Sequence, residues 1–258
     1  MTRWSRAGVS PGETFVAELG RQTPEIDQIN AGFSSTSTDF QLLVARAWTP
    51  RTTPSRVILY VFGYNDLAEL DRRYPCCPDG PLLDLAAAAR CASPGRATGR
   101  RALFASSPAP YPIRVATSAS ALARRAAVAF AAVGTRLHAR ERGPDLAAED
   151  RFARFASLLA AMKRDLAAQG VPLAVAYLPA RAALESGAPR ETGDYRLRGD
   201  VGAVAASLDL PFLDPWDELE SAVKREGIAR IYLPPPDIHF TPEGHRIMAA
   251  WLRPRLGP

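Results

Sequence analysis

The sequence predicts an α/β fold built on a parallel sheet, and three observations predict it. Two continuous apolar runs, Arg56–Phe62 (RVILYVF) and Val171–Leu178 (VPLAVAYL), lack the in-out alternation of a half-solvated sheet and read as strands buried on both faces. Helix-period segments lie between and around them, the alternation that βαβ units produce. At 258 residues, 47% hydrophobic and 23% charged, the chain is long enough for one large domain with a sizeable core. That composition is too ordinary for disorder, collagen or a coiled coil.

In chain order, Glu13–Gln22 is expected as a short helix and Ile26–Asn30 as a short strand leading into Ala31-Gly32. Thr38–Ala47 carries Phe40, Leu43, Val44 and Ala47 on one helical face, and the strand Arg56–Phe62 follows, ending in Gly63-Tyr64-Asn65-Asp66. Beyond it, prolines at 75, 78, 81, 94, 108, 110 and 112 break any period, with an Ala- and Arg-rich helical stretch near Ser118–Arg140. We read this as a long insertion, at about 67–150, in a single domain spanning 1–258. Leu146–Gln169 is an amphipathic helix with Phe152, Phe155, Leu158, Leu159, Met162 and Leu166 on one face and Gly170 behind it as C-cap. After the strand Val171–Leu178 come a helix at Val201–Leu208, a short strand at Pro211–Asp214 and a closing helix, Thr241–Leu256. Thr241 is its N-cap, with Pro242 at the first helical position and Glu243 in the first turn.

The net charge of +5 invites a nucleic-acid reading, and its distribution argues against one. All but two of the 32 basic residues are Arg, the exceptions being Lys163 and Lys224, and they are scattered among Asp and Glu without an aromatic-interleaved stripe. No nucleic-acid partner is expected. Cys76, Cys77 and Cys91 have neither CxxC spacing nor a nearby His, so free thiols are expected, with no metal site and no disulfide framework. No apolar run reaches the roughly 20 residues of a bilayer span, and Met1-Thr-Arg-Trp-Ser-Arg-Ala-Gly8 has no signal-like apolar region. The chain as given therefore reads as cytoplasmic, or as exported or anchored if residues upstream of it carry a signal. Its oligomeric state is not legible.

Ligands of open α/β sheets bind at the carboxyl ends of the strands, which singles out three polar clusters. They are Asn30-Ala-Gly32 with the Ser/Thr run behind it, Gly63-Tyr-Asn65-Asp66, and Asp237-Ile-His239 before the last helix. A carboxylate beside an imidazole fixes its tautomer and raises its basicity, as a general base for a hydroxyl nucleophile requires, although a DxH pair taken alone is more often a structural or surface pair. The Asn65 amide can stabilise an oxyanion or simply make a turn. Gly32 can present a bare N–H or allow positive φ. His245 reads as a packing or capping residue and His138 as solvated.

These blocks, in this order, resemble those of the SGNH or GDSL hydrolases, serine esterases and acyltransferases on a flavodoxin-like sheet. Asn30-Ala-Gly32 is similar to the family's Gly block, Gly63-Tyr-Asn65-Asp66 fits Gly-X-Asn-Asp, and Asp237-Ile-His239-Phe-Thr-Pro-Glu-Gly-His245 resembles the block that carries the acid and base. The resemblance implies a three-layer α/β/α sandwich with sheet order 2-1-3-4-5. It implies His239 as general base, Asp237 as its orienting acid, Gly32 N–H and Asn65 as oxyanion donors, and Gly63 and Asp66 as structural residues of the site. It also implies a small-molecule or glycan acyl ester as substrate and no cofactor. Two features depart from the family. Acid and base are separated by one residue where the family has two, and no Gly-Asp-Ser, nor the strand before it, occurs anywhere in the chain. Gly8-Val-Ser-Pro-Gly-Glu-Thr-Phe15 resembles the family segment just downstream of the nucleophile, so the nucleophilic serine is expected upstream of Met1, and neither Ser5 nor Ser10 follows a strand. The other reading is a non-catalytic module of the same fold that binds a glycan or a protein partner.

Overall fold

The computed structural model describes residues 9–32, 37–71, 148–235 and 237–256. The chain divides into one unit made of Met1–Leu70 and Ala147–Pro258 and a second made of Asp71–Leu146. Beyond Asp71, the second unit, with the helix expected near Ser118–Arg140, lies outside the described residues. Leu67 and Leu70 are buried in the core of the first unit.

Along the described chain run a 3₁₀ turn (Pro11–Glu13), α1 (Phe15–Gln22), α2 (Thr38–Thr52), β1 (Val57–Phe62), a 3₁₀ turn (Ala68–Asp71) and α3 (Ala148–Ala167). Then come β2 (Leu173–Leu178), α4 (Arg181–Glu185), a 3₁₀ turn (Pro189–Glu191) and α5 (Gly193–Ser207). The last elements are β3 (Phe212–Leu213), α6 (Trp216–Glu226), α7 (Ile228–Ile231), α8 (Pro242–Leu252) and a 3₁₀ turn (Arg253–Arg255). The strands form an open parallel sheet in the order β1-β2-β3, with Val57 opposite Leu173, Phe62 opposite Leu178, and Val175 opposite Phe212.

Every residue of β2 is buried, as its unbroken apolar run requires. β1 differs from expectation. Only Leu59 and Val61 are fully buried, because among the described residues β1 has one strand neighbour and lies at the sheet edge. Its side chains alternate between two helical layers. Ile58 and Tyr60, with Leu213 of β3, pack against Leu19 of α1 and Ala249 and Leu252 of α8. Leu59 and Val61 join the larger core with Leu42 of α2 and Phe155, Leu159 and Met162 of α3. Helices therefore cover both faces of the sheet.

The helical face of α3 forms as its spacing predicts, and Gly170 follows it at φ 70°. Three expectations are corrected. Ile26–Asn30 is not a strand: it is irregular backbone with Ile29 half exposed, since no neighbouring strand among the described residues offers it a ladder. α2 runs on to Thr52 past Pro50, which has no N–H to donate to the Arg46 carbonyl, and stops where Thr53 turns left-handed at φ 43°. The helix expected from Val201 begins at Gly193, capped by the Thr192 hydroxyl accepting from Tyr195 N–H.

Candidate active site

The Asp237–His239 pair stands in a loop closed at its base. Tyr232 and Phe240 form an antiparallel bridge, Leu233 N–H donates to the His239 carbonyl (2.9 Å), and Asp237 N–H donates to the Pro234 carbonyl (3.1 Å). The loop leads straight into α8, whose first turn is held by the Thr241 hydroxyl accepting from Gly244 N–H (3.1 Å). Gly244 has to be glycine. A Cβ there would lie 2.2 Å from the Ile231 carbonyl and 3.0 Å from the Phe240 ring, so any side chain would push the helix off the loop.

Asp237 Oδ1 lies 2.6 Å from His239 Nδ1 and also accepts the His239 backbone N–H (3.1 Å). A carboxylate can only accept, so Nδ1 carries the proton and Nε2 is the basic nitrogen. The two side chains are 24% and 30% exposed, open enough to be reached by a substrate and buried enough to be held.

His245 contrasts with it. It is buried against Phe15 (ring centroids 5.9 Å apart) and Phe240 (5.6 Å), and its Nδ1 accepts the Phe15 N–H (3.2 Å), capping the start of α1. Burial, with the neighbouring His239 adding to it, pushes the His245 imidazole down to about 4. His245 is therefore neutral at ordinary pH and fixes α1 to α8 beside the Asp237–His239 loop.

The Gly63–Asp66 turn closes the carboxyl end of β1. Asp66 is buried, its Oδ2 accepting the Phe62 N–H (2.9 Å) while its own N–H donates to the Phe62 carbonyl (3.2 Å). Burial, reinforced by Glu69, pushes this carboxyl up to about 7. Gly63 is crowded by Asp194 and Tyr177: a Cβ would lie 1.9 Å from Asp194 Oδ1 and 2.1 Å from the Tyr177 hydroxyl. Asn65 donates its backbone N–H to the Phe62 carbonyl (3.4 Å) and accepts from Glu69 N–H (2.8 Å). Among the described residues, no hydrogen bond engages its half-buried side-chain amide. Tyr64 beside it is 58% exposed.

Sequence reasoning missed the residues that tie turn and loop to the end of β2, because none belongs to a local motif. Asp194, in the first turn of α5, accepts the Tyr177 hydroxyl on Oδ1 (2.6 Å) and the Ala180 N–H on Oδ2 (2.9 Å), and burial raises its pKa. The Tyr232 hydroxyl donates to the Pro179 carbonyl (2.8 Å), and Arg181 donates to the Leu233 carbonyl (2.5 Å). The segment from Tyr177 to Arg181 thus contacts the Gly63 turn on one side and the Tyr232–Phe240 loop on the other.

Gly32 is placed differently. Its N–H is taken by the Asn30 side chain (Oδ1, 3.0 Å), a local turn that accounts for the Asn-Ala-Gly block without any ligand. Ser10 is exposed and ends in the cap of the Pro11–Glu13 turn, its N–H donating to Glu13 Oε2 (2.8 Å), and it sits on no strand-to-helix elbow. A cavity of about 290 Å³ lies between α1 and Pro24–Asn30, lined by Thr14, Ala17, Gly20, Ile26 and Asn30, and neither Asp237 nor His239 lines it. Among the described residues no cluster of three or more His, Cys, Asp or Glu could hold a metal ion, and no helix is long and apolar enough to cross a membrane. No family model, curated protein or solved structure matches the chain.

Proposed function

We propose that this chain forms the body of an SGNH-type ester hydrolase or O-acyltransferase on a flavodoxin-like three-layer sandwich. The substrate is a small-molecule or glycan acyl ester. One observation carries the reading: the 2.6 Å Asp237–His239 contact, with the imidazole held in its Nε2-basic form immediately before a helix of the sandwich. The sheet order β1-β2-β3 is compatible with strands 3, 4 and 5 of the expected order.

In this mechanism His239 Nε2 takes the proton from a serine hydroxyl as its oxygen bonds to the ester carbonyl carbon, and the carbonyl electron pair moves onto oxygen. The Asn65 amide donates to that oxyanion. Collapse breaks the bond to the alcohol, which leaves with the proton from Nε2. Water then repeats the sequence to release the acid, or an acceptor hydroxyl does so to give a new ester. The serine is one preceding Met1. The Gly32 N–H joins Asn65 only if its bond to Asn30 opens. That occupied N–H is the observation that favours the other reading, a non-catalytic module binding a glycan or protein partner at the same loops.

The test uses the chain preceded by its in-frame upstream residues. p-Nitrophenyl acetate turnover is expected, with His239→Ala lowering it at least about 10³-fold. The 258-residue chain is expected to be inactive. Turnover indifferent to His239→Ala would discard the mechanism, and an upstream sequence without Gly-Asp-Ser would favour the binding module.

A further inference from the structure

We propose that Arg181 is the positioning residue of the Asp237–His239 pair, an inference that rests on reading that pair as the general base. Arg181 is 8% exposed. A buried guanidinium is costly unless it is paired, and here each of its three nitrogens has an acceptor. Nε and Nη2 fork onto Glu185 Oε2 and Oε1 (3.1 and 3.0 Å), one helical turn further along α4. Nη1 donates to the Leu233 carbonyl (2.5 Å), and Leu233 in turn donates its N–H to the His239 carbonyl (2.9 Å).

Two hydrogen bonds through one residue therefore connect the guanidinium to the backbone of the base. A neutral side-chain amide could donate to the Leu233 carbonyl equally well. A planar fork gripped along one edge by Glu185 does more, because it fixes the plane of the guanidinium and with it the direction in which Nη1 presents its N–H to Leu233. The Tyr232 hydroxyl also anchors the loop, at the Pro179 carbonyl, but its bond acts at the entry of the loop and has no direct link to His239. Arg181 is the side chain that sets where the His239 end of the loop lies relative to the end of β2.

The reporter is the His239 Nδ1 proton, read by NMR on the full chain. Held in a short hydrogen bond to Asp237, it is expected as a resolved resonance downfield of the amides, lost in Asp237→Ala and in His239→Ala. Arg181→Met keeps the apolar stem and removes the fork, so exchange of that proton with water is expected to accelerate about tenfold or more. Arg181→Lys, which restores charge without the fork, should not rescue it, while amides of β1 and β2 keep their positions in both variants. An unchanged resonance in folded Arg181→Met overturns the proposal, and so does its absence from the unsubstituted protein. If Arg181→Met does not fold, Glu185→Gln decides. It leaves Arg181 on Leu233 and loosens the fork, so the proton must exchange faster, and an unchanged rate overturns the proposal. No ester turnover enters this readout. The chain preceded by its in-frame upstream residues, if inactive on acyl esters while still showing Arg181-dependent protection, refutes the proposed function alone. An active one with Arg181-independent protection refutes this inference alone.

Discussion

At the end of β1, Asp66 is buried, spends its carboxylate on the Phe62 backbone N–H, and is pushed up to about 7. Before α8, Asp237 is a quarter exposed and spends its carboxylate on an imidazole. The first acid makes a turn rigid, and the second sets the tautomer of a group that can pass a proton. The same distinction separates the two histidines of the α8 region, since His245 uses Nδ1 to accept a backbone N–H and His239 uses Nδ1 to donate to a carboxylate. What a titratable group can do chemically depends on whether its partner is main chain, which holds it in place, or another titratable side chain.

If the β1 turn is rigid scaffold, its tightest point should be the least forgiving. Gly63→Ala drives a methyl into the Asp194 carboxylate and the Tyr177 hydroxyl, and a loss of at least about 4 kcal/mol is expected in chemical denaturation, the exceptional end of single substitutions. A loss below about 1 kcal/mol would show that α5 moves aside easily and that the turn is not braced by it.

A sharper contrast comes from pH. Folding holds Asp66 near 7 against 3.8 for the ordinary carboxyl, so its contribution to stability is complete below pH 3.8 and is lost as pH rises through about 7. Folding holds His245 near 4 against 6.5, so its contribution is complete above pH 6.5 and is lost as pH falls through about 4. Asp66 is worth on the order of 4 kcal/mol and His245 on the order of 3 kcal/mol, and between pH 4 and 6.5 they oppose one another. Relative to the unsubstituted protein, Asp66→Asn should gain stability as pH rises through this window, and His245→Gln should lose it. Thermal melts at several pH values that run parallel for all three proteins would dismiss both assignments.

The smallest expected effect is at Asn65. Its side-chain amide makes no hydrogen bond among the described residues, so Asn65→Ala should change stability by less than about 0.5 kcal/mol. Under the proposed ester-hydrolase function, the same substitution in the chain preceded by its upstream residues should lower kcat by roughly 10²–10³, the scale of one oxyanion donor. Equal loss of stability and activity would make Asn65 an ordinary turn residue.

The parts legible in the sequence are those whose signal is local. Phe155, Leu158, Leu159, Met162 and Leu166 announce α3, and the apolar runs announce β1 and β2. The DxH spacing brings Asp237 onto His239 because two residues in one loop hardly need the rest of the fold. α6 was missed although its signal is present, with Trp216, Leu219 and Ala222 on its buried face, Asp217 and Glu218 in the first turn and Lys224 and Arg225 in the last. Ile26–Asn30 forms no strand because, among the described residues, its two isoleucines have no neighbouring strand to pair with. Asp194 and Arg181 could not have been found this way. Their importance lies in contacts with Gly63 and Leu233, distant in sequence, that exist only once β1, β2 and α7 are assembled.

The pairing of Val57–Phe62 with Leu173–Leu178 also imposes a timetable on synthesis. A ribosome adding about 5–20 residues per second emits the first strand roughly 6 to 20 seconds before the second exists. For that interval an apolar hexapeptide waits without the edge it will pair with, and the nascent chain depends on chaperones or on α1 and α2 to keep it from a stranger's strand.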